Sequence, residues 1–210
     1  MKKGIFITFE GPEGSGKTTH IKKLAEYLKK SGYSVVITRE PGGGRISEKI
    51  REILLSLQSK KMNYITELFL YLASRAQHIE NLIMPALKQG KIVLCDRFSD
   101  STFAYQVYGR GIPFKIVKNL NDIATNKLSP DITILLDIEA SKGIQRAVNA
   151  KGTKDRLESE KLKFHKRVRN GYLQIAKDNP SRVKIFKTTD NIDKIQQGIR
   201  NHILCMIKKL

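Results

Sequence analysis

The tightest constraint on what this chain can fold into lies between positions 4 and 28. An apolar run, GIFITF (4–9), passes directly into Gly11-Pro12-Glu13-Gly14-Ser15-Gly16-Lys17-Thr18. Beyond it Ile21, Leu24, Ala25 and Leu28 recur at helical spacing. The eight residues fit G-x-x-x-x-G-K-[ST], and they have the strand-before, helix-after context that gives this pattern its meaning. Glycines let backbone N–H groups turn inward around a β-phosphate, and the start of the helix adds its positive dipole end. Lys17 is a movable point charge for the β- and γ-oxygens, and the Thr18 hydroxyl can ligate Mg²⁺. The loop predicts a bound nucleoside triphosphate and says nothing of what receives the phosphate.

Four further apolar runs follow: SVVIT (34–38), KIVLC (91–95), ITILLD (132–137) and VKIF (183–186). Their unbroken hydrophobicity is that of strands covered on both faces, as in a parallel sheet. Between them lie helical stripes: Ile46, Ile50, Ile53, Leu54 and Leu57; Leu68, Leu72, Ile79, Ile83 and Leu87; Ile116, Leu120, Ile123 and Ala124. Two more hold Leu162, His165, Tyr172 and Ile175, then Ile192, Ile195, Ile199 and Ile203. This alternation predicts an α/β three-layer sandwich, a five-stranded parallel sheet with helices on both faces. With 210 residues and no repeats or linkers, one domain over 1–210 is expected.

The formal net charge is +19, which suits a binder of nucleic acid or of small anions. Its lysines are scattered, among them Lys22, Lys23, Lys29, Lys30, Lys60, Lys61, Lys142, Lys184 and Lys208. No block of five like charges occurs and no aromatics interleave, so solvated helix faces are the simpler reading. No apolar run approaches the ~18 residues of a membrane span. Cys95 and Cys205, the two cysteines, fall in no metal or redox spacing. A cytoplasmic protein without a membrane partner is expected. A regulatory GTPase would carry N-K-x-D after a strand; the nearest match, Asn126-Lys127-Leu128-Ser129, lacks the aspartate.

A kinase of small molecules needs a second anionic pocket and a lid. Asp96-Arg97 ends the third strand, on the edge where open parallel sheets place ligands. An acid there can hold Mg²⁺ through water and an arginine can clamp a phosphate, although the pair alone also fits a strand-end salt bridge. Ser101, Thr102, Tyr105 and Gln106 follow closely, with polar atoms suited to a sugar or a base. Thr38-Arg39-Glu40-Pro41-Gly42-Gly43 closes the second strand at the same edge. Tyr71 and Arg75, four apart, share a helix face and could stack on a base and donate to its carbonyl; a core tyrosine beside a surface arginine has the same spacing. The segment near 149–157, Asn149 to Leu157, is polar, basic and hinged at Gly152. It reads as a solvated loop or as a lid whose cations neutralise a transferring phosphoryl group.

Taken together, FEGPEGSGKTT, TREPGG, the Tyr71–Arg75 pair, DRF…STFAYQ…GRG, PDITILLD and DRLE resemble the thymidylate kinases in order and spacing over essentially the whole chain. The resemblance implies a P-loop nucleoside monophosphate kinase architecture and transfer of the ATP γ-phosphoryl group to dTMP, with Mg²⁺ as cofactor and no specific nucleic-acid partner. It implies that Gly11, Pro12, Glu13, Gly14, Ser15, Gly16, Lys17, Thr18 and Thr19 hold ATP, with Arg146 on the adenine. Glu13 would face the 3′-hydroxyl of dTMP. Arg97, helped by Arg39, would bind the acceptor phosphate, and Asp96 with Thr18 would organise the metal. Tyr71 would stack on thymine, Arg75 reach O4, Ser101, Thr102 and Gln106 meet the nucleoside, and Tyr105 crowd C2′. Arg51 would line the same pocket.

Within this resemblance, members that lack a cation between Pro12 and Ser15 take the missing charge from the lid. Arg156 is the expected catalytic lid cation, with Lys154 and Lys151 as alternatives. A homodimer packed through helices near 68–83 and 112–124 is also implied. The competing class is a P-loop ATPase acting on nucleic acid, favoured by net charge alone.

Overall fold

In the computed structural model the described residues are 4–188 and 191–207. Lys208 and the side chain of Lys151, both named above, lie outside them. The chain runs β1 (Ile5–Glu10), α1 (Lys17–Lys30), β2 (Val35–Arg39), α2 (Arg45–Leu55), α3 (Tyr64–His78), α4 (Met84–Lys88) and β3 (Ile92–Asp96). It continues with α5 (Ser99–Thr102), α6 (Phe114–Thr125), β4 (Ile132–Asp137), α7 (Ala140–Lys151), α8 (Leu162–Asp178), β5 (Val183–Lys187) and α9 (Ile192–Ile207). The five strands form one sheet in the order β2-β3-β1-β4-β5, parallel throughout. All five expected strands are present within a residue or two of their expected bounds.

Alternation along the strands explains why both faces are apolar. Ile7, Phe9, Leu94 and Ile134 point to a core shared with Leu24 and Leu28 of α1 and Ile199 and Ile203 of α9. Phe6, Val93 and Cys95 point the other way, against Ile79, Ile83 and Phe98. Burying each such leucine or isoleucine contributes ~1.5–3 kcal/mol relative to exposure. Among the described residues no helix is long and apolar enough to cross a membrane.

Two helical expectations need correction. The stripe predicted as continuous over 68–87 breaks: α3 ends at His78, a π turn spans Ile79–Ile83, and α4 starts again at Met84. Pro85 cannot donate to the ladder, and the Met84 N–H reaches back five residues to Ile79 instead. The stripes on α2 and α6 are only partly core faces, with Leu120 and Ala124 of α6 packed against Leu68 and Leu72. Leu54 is buried, but Ile46, Ile53 and Leu57 are about half exposed, and Ile123 is 78% exposed. Helical periodicity identifies an apolar face without saying what covers it.

Candidate active site

Parallel pairing brings the C-terminal ends of β1, β2 and β3 level, with Asp96 opposite both Phe9 and Arg39. The phosphate loop, the 38–43 turn and Asp96-Arg97 all leave the sheet at this edge. The phosphate loop closes between β1 and α1. Gly11 and Gly14 have φ of 139° and 64°, and a Cβ on Gly14 would run into the Gly143 carbonyl of α7. Gly16 caps α1 with a φ of 86° and contributes no side chain, so the first-turn N–H groups of α1 are left for an anion. Lys17 folds onto the loop, donating to the carbonyls of Gly11 at 3.1 Å and Pro12 at 3.0 Å. Burial, then the charge of Arg97, brings its ammonium down to about 8.

A cleft over the loop is lined by Glu13 to Thr19, Arg39, Asp96, Arg97 and Arg146. Thr18 Oγ1 donates to Asp96 Oδ2 at 3.0 Å. Two hard oxygens, one a carboxylate, suit Mg²⁺, which takes few protein ligands alongside phosphate and water. Among the described residues no cluster of three His, Cys, Asp or Glu could cage a metal by itself.

A second cleft opens beside the first and shares Glu13, Glu40, Arg51 and Arg97 with it. Its walls include Tyr71, Arg75, Ser101, Thr102, Tyr105 and Gln106. Tyr105 and Gln106 sit in a π-helical stretch, Phe103–Gly109, that follows α5. Arg97 stands at the junction with a φ of 72°, a left-handed conformation that costs ~1–3 kcal/mol in a non-glycine residue. Its guanidinium donates to Glu13 Oε2 at 2.9 Å, Tyr172 Oη at 2.8 Å and the Gly11 carbonyl at 3.1 Å. Burial pushes the Tyr105 and Tyr172 phenols well above the usual range, so both stay protonated.

One residue expected in the site lies outside both clefts. Arg156 is buried (4% exposed), with Nη1 2.6 Å from Glu67 Oε2 and Nε donating to the Leu54 carbonyl at 2.6 Å. It anchors the end of the lid segment to α2 and α3, and it lines neither cleft. A basic stretch predicts cations; it cannot show that one of them finds a buried carboxylate. Arg146, expected to bind ATP, lines the same cleft as the phosphate loop. Arg39 donates from Nη2 to both carboxylate oxygens of Glu48, at 2.8 and 3.0 Å, and lines the cleft over the phosphate loop beside Arg97.

Other functional positions went unassigned in the sequence. Glu40 accepts from Arg75 Nε at 2.7 Å and bonds His78 Nδ1 at 3.1 Å. Glu10 accepts from the Phe98 N–H, the Ser101 hydroxyl and the Tyr172 hydroxyl. Burial, then the charge of Asp100, pushes its carboxyl up to about 7. Both glutamates stand inside motifs already recognised, so their places were visible but their partners were not. Glu67, Asn121 and Tyr172 carry no local signal.

A family model described as thymidylate kinase matches residues 9–199. A thymidylate kinase of Pelobacter propionicus is 50% identical over 206 residues, covering 96% of this chain and 94% of that protein. One from Clostridium novyi is 44% identical over 204 residues, covering 97% of this chain and 100% of its own. The solved structure of a thymidylate kinase from Ehrlichia chaffeensis superposes with a TM-score of 0.78 at 36% identity, covering 96% of this chain and 99% of that one.

Proposed function

Because the chain belongs to the thymidylate kinase family, we propose that its two clefts hold ATP and dTMP for direct transfer of the γ-phosphoryl group, giving dTDP and ADP. One observation carries this assignment of the clefts: Arg97 joins them, bonded to the phosphate loop on one side and to the wall of the nucleoside cleft on the other. An arginine there can hold the acceptor phosphate in line with the donor. Lys17 and the first-turn N–H groups of α1 bind the donor phosphates. Glu13 and Tyr105 hold Arg97 and wall the sugar side, while Arg75, Thr102 and Gln106 face the base and Tyr71 covers it.

Catalysis rests on positioning and charge neutralisation, with no covalent enzyme intermediate. Thr18 and Asp96 are the residues that would hold Mg²⁺, which supplies neutralisation of phosphate charge when bound. Arg146, which lines the cleft over the phosphate loop, replaces Arg156 as the arginine assigned to the donor phosphates. The second assembly partner is a copy of the chain. Tyr64, Ile65 and Phe69 on α3 and Phe114, Ile116 and Ile123 on the adjacent α6 are exposed apolar residues suited to a homodimer interface.

ADP release with each nucleoside monophosphate offered separately tests the reading. Turnover is expected with dTMP above all others, and a rate independent of added monophosphate would identify a hydrolase instead.

A further inference from the structure

Two polar atoms of the nucleoside cleft are left over once the protein's own hydrogen bonds are drawn. Gln106 Nε2 donates to Glu67 Oε1 at 2.9 Å, and among the described residues nothing donates to Gln106 Oε1. Arg75 gives Nε to Glu40 at 2.7 Å and Nη1 to Thr102 Oγ1 and Asn121 Oδ1, both at 2.8 Å. Its Nη2 has no partner among the described residues. Both side chains line the same cleft, which therefore offers a base one acceptor and one donor.

The end of Gln106 that faces the cleft is decided behind it. Glu67 is fully buried, and its oxygens take four donors. Oε1 accepts from Gln106 Nε2 and from Arg110 Nε at 3.0 Å; Oε2 accepts from Arg110 Nη2 at 2.9 Å and Arg156 Nη1 at 2.6 Å. Burial raises the Glu67 carboxyl, but the hydrogen bonds and charge of Arg110, with Arg156, more than reverse this and hold it below the usual range. An ionised carboxylate only accepts, so the amide end against it must be the NH₂. Turning Gln106 over would set oxygen against oxygen in a buried site.

We propose that Glu67 is a positioning residue for base selection: by holding the Gln106 amide in one orientation, it makes the cleft accept a 4-keto, N3–H pyrimidine and refuse a 4-amino one. The proposal rests on the thymidylate reading. Thymine and uracil present an N3–H donor beside the O4 acceptor, matching Gln106 Oε1 and Arg75 Nη2. Cytosine presents the N3 acceptor beside an amino donor, which sets acceptor on acceptor and donor on donor. Sites built on such bonds refuse the mismatched partner by ~10⁴–10⁵-fold.

The test compares kcat/KM for dTMP, dUMP and dCMP in the wild type and in Glu67→Gln. A glutamine at 67 can donate to Gln106 Oε1 and let the amide turn its NH₂ to the cleft. The dTMP/dCMP ratio is then expected to fall by about tenfold or more, while dTMP/dUMP holds, because those two bases share an edge. Equal losses on all three substrates would mean a purely structural Glu67 and overturn the proposal. A wild type that uses dCMP as well as dTMP would overturn the thymidylate reading itself. Should Glu67→Gln fail to fold, neutron diffraction from the wild-type enzyme with dTMP decides: Oε1 of Gln106 on the thymine N3–H supports the proposal, and Nε2 there defeats it.

Discussion

Arg97 Nη2 and Glu13 Oε2 lie 2.9 Å apart, which ties the end of β3 to the phosphate loop across the seam between the two clefts. Burial disfavours the Arg97 charge, but Glu13 and the surrounding acidic and phenolic groups more than compensate. Arg97 is thus held in place before any substrate arrives.

Lys17→Ala and Arg97→Ala are therefore expected to abolish useful turnover by different routes. Lys17 lines the cleft over the phosphate loop and not the second cleft, so its loss should weaken ATP binding and spare dTMP. Arg97→Ala should weaken dTMP by about 30-fold or more, since removing one partner of a buried charge pair costs ~2–5 kcal/mol. Calorimetry with each nucleotide checks this, and unchanged dTMP affinity in Arg97→Ala would remove Arg97 from the acceptor phosphate.

Arg156→Ala should act on stability first. Breaking its buried pair with Glu67 is expected to cost ~3–5 kcal/mol, visible as a lower urea midpoint. Arg146→Ala should lower kcat by ~10³-fold, as loss of a phosphate-side arginine does. A stable Arg156→Ala with a collapsed kcat would return the catalytic part to Arg156; a normal Arg146→Ala would pass it to Lys154.

ATP affinity should depend on pH through Lys17. With its ammonium brought down to about 8, the free enzyme loses that charge as pH rises through 8, so affinity should be flat below and fall above. Bound phosphates favour the protonated form, so binding near pH 8 should take up about half a proton. Titrations in buffers of differing ionisation heat measure this uptake, and Lys17→Met should abolish it. The same shift means the unfolded chain holds more protons between about pH 8 and the ordinary lysine range, so this group adds stability as pH rises there. Proton uptake that survives in Lys17→Met would assign it to another group.

Phe69, 52% exposed on α3, should lie in the dimer interface. Phe69→Glu would bury a charge against apolar neighbours and is expected to halve the mass seen by sedimentation. An unaltered mass would place any interface elsewhere.

The sequence by itself determined the phosphate loop, the five strands and the ligand edge of the sheet. Each is written within a window of a few residues, in the glycine spacing of 11–18, the apolar runs and the strand-end Asp96-Arg97. It also marked the apolar stripes of α2 and α6 without deciding what they face. Only the tertiary structure decided that Arg156 pairs with Glu67, that Arg146 lines the cleft over the phosphate loop, and that Gln106 turns its NH₂ to Glu67. These follow from contacts between segments far apart in the chain, where a buried charge must find a partner wherever packing brings one, and no local pattern records which partner that is.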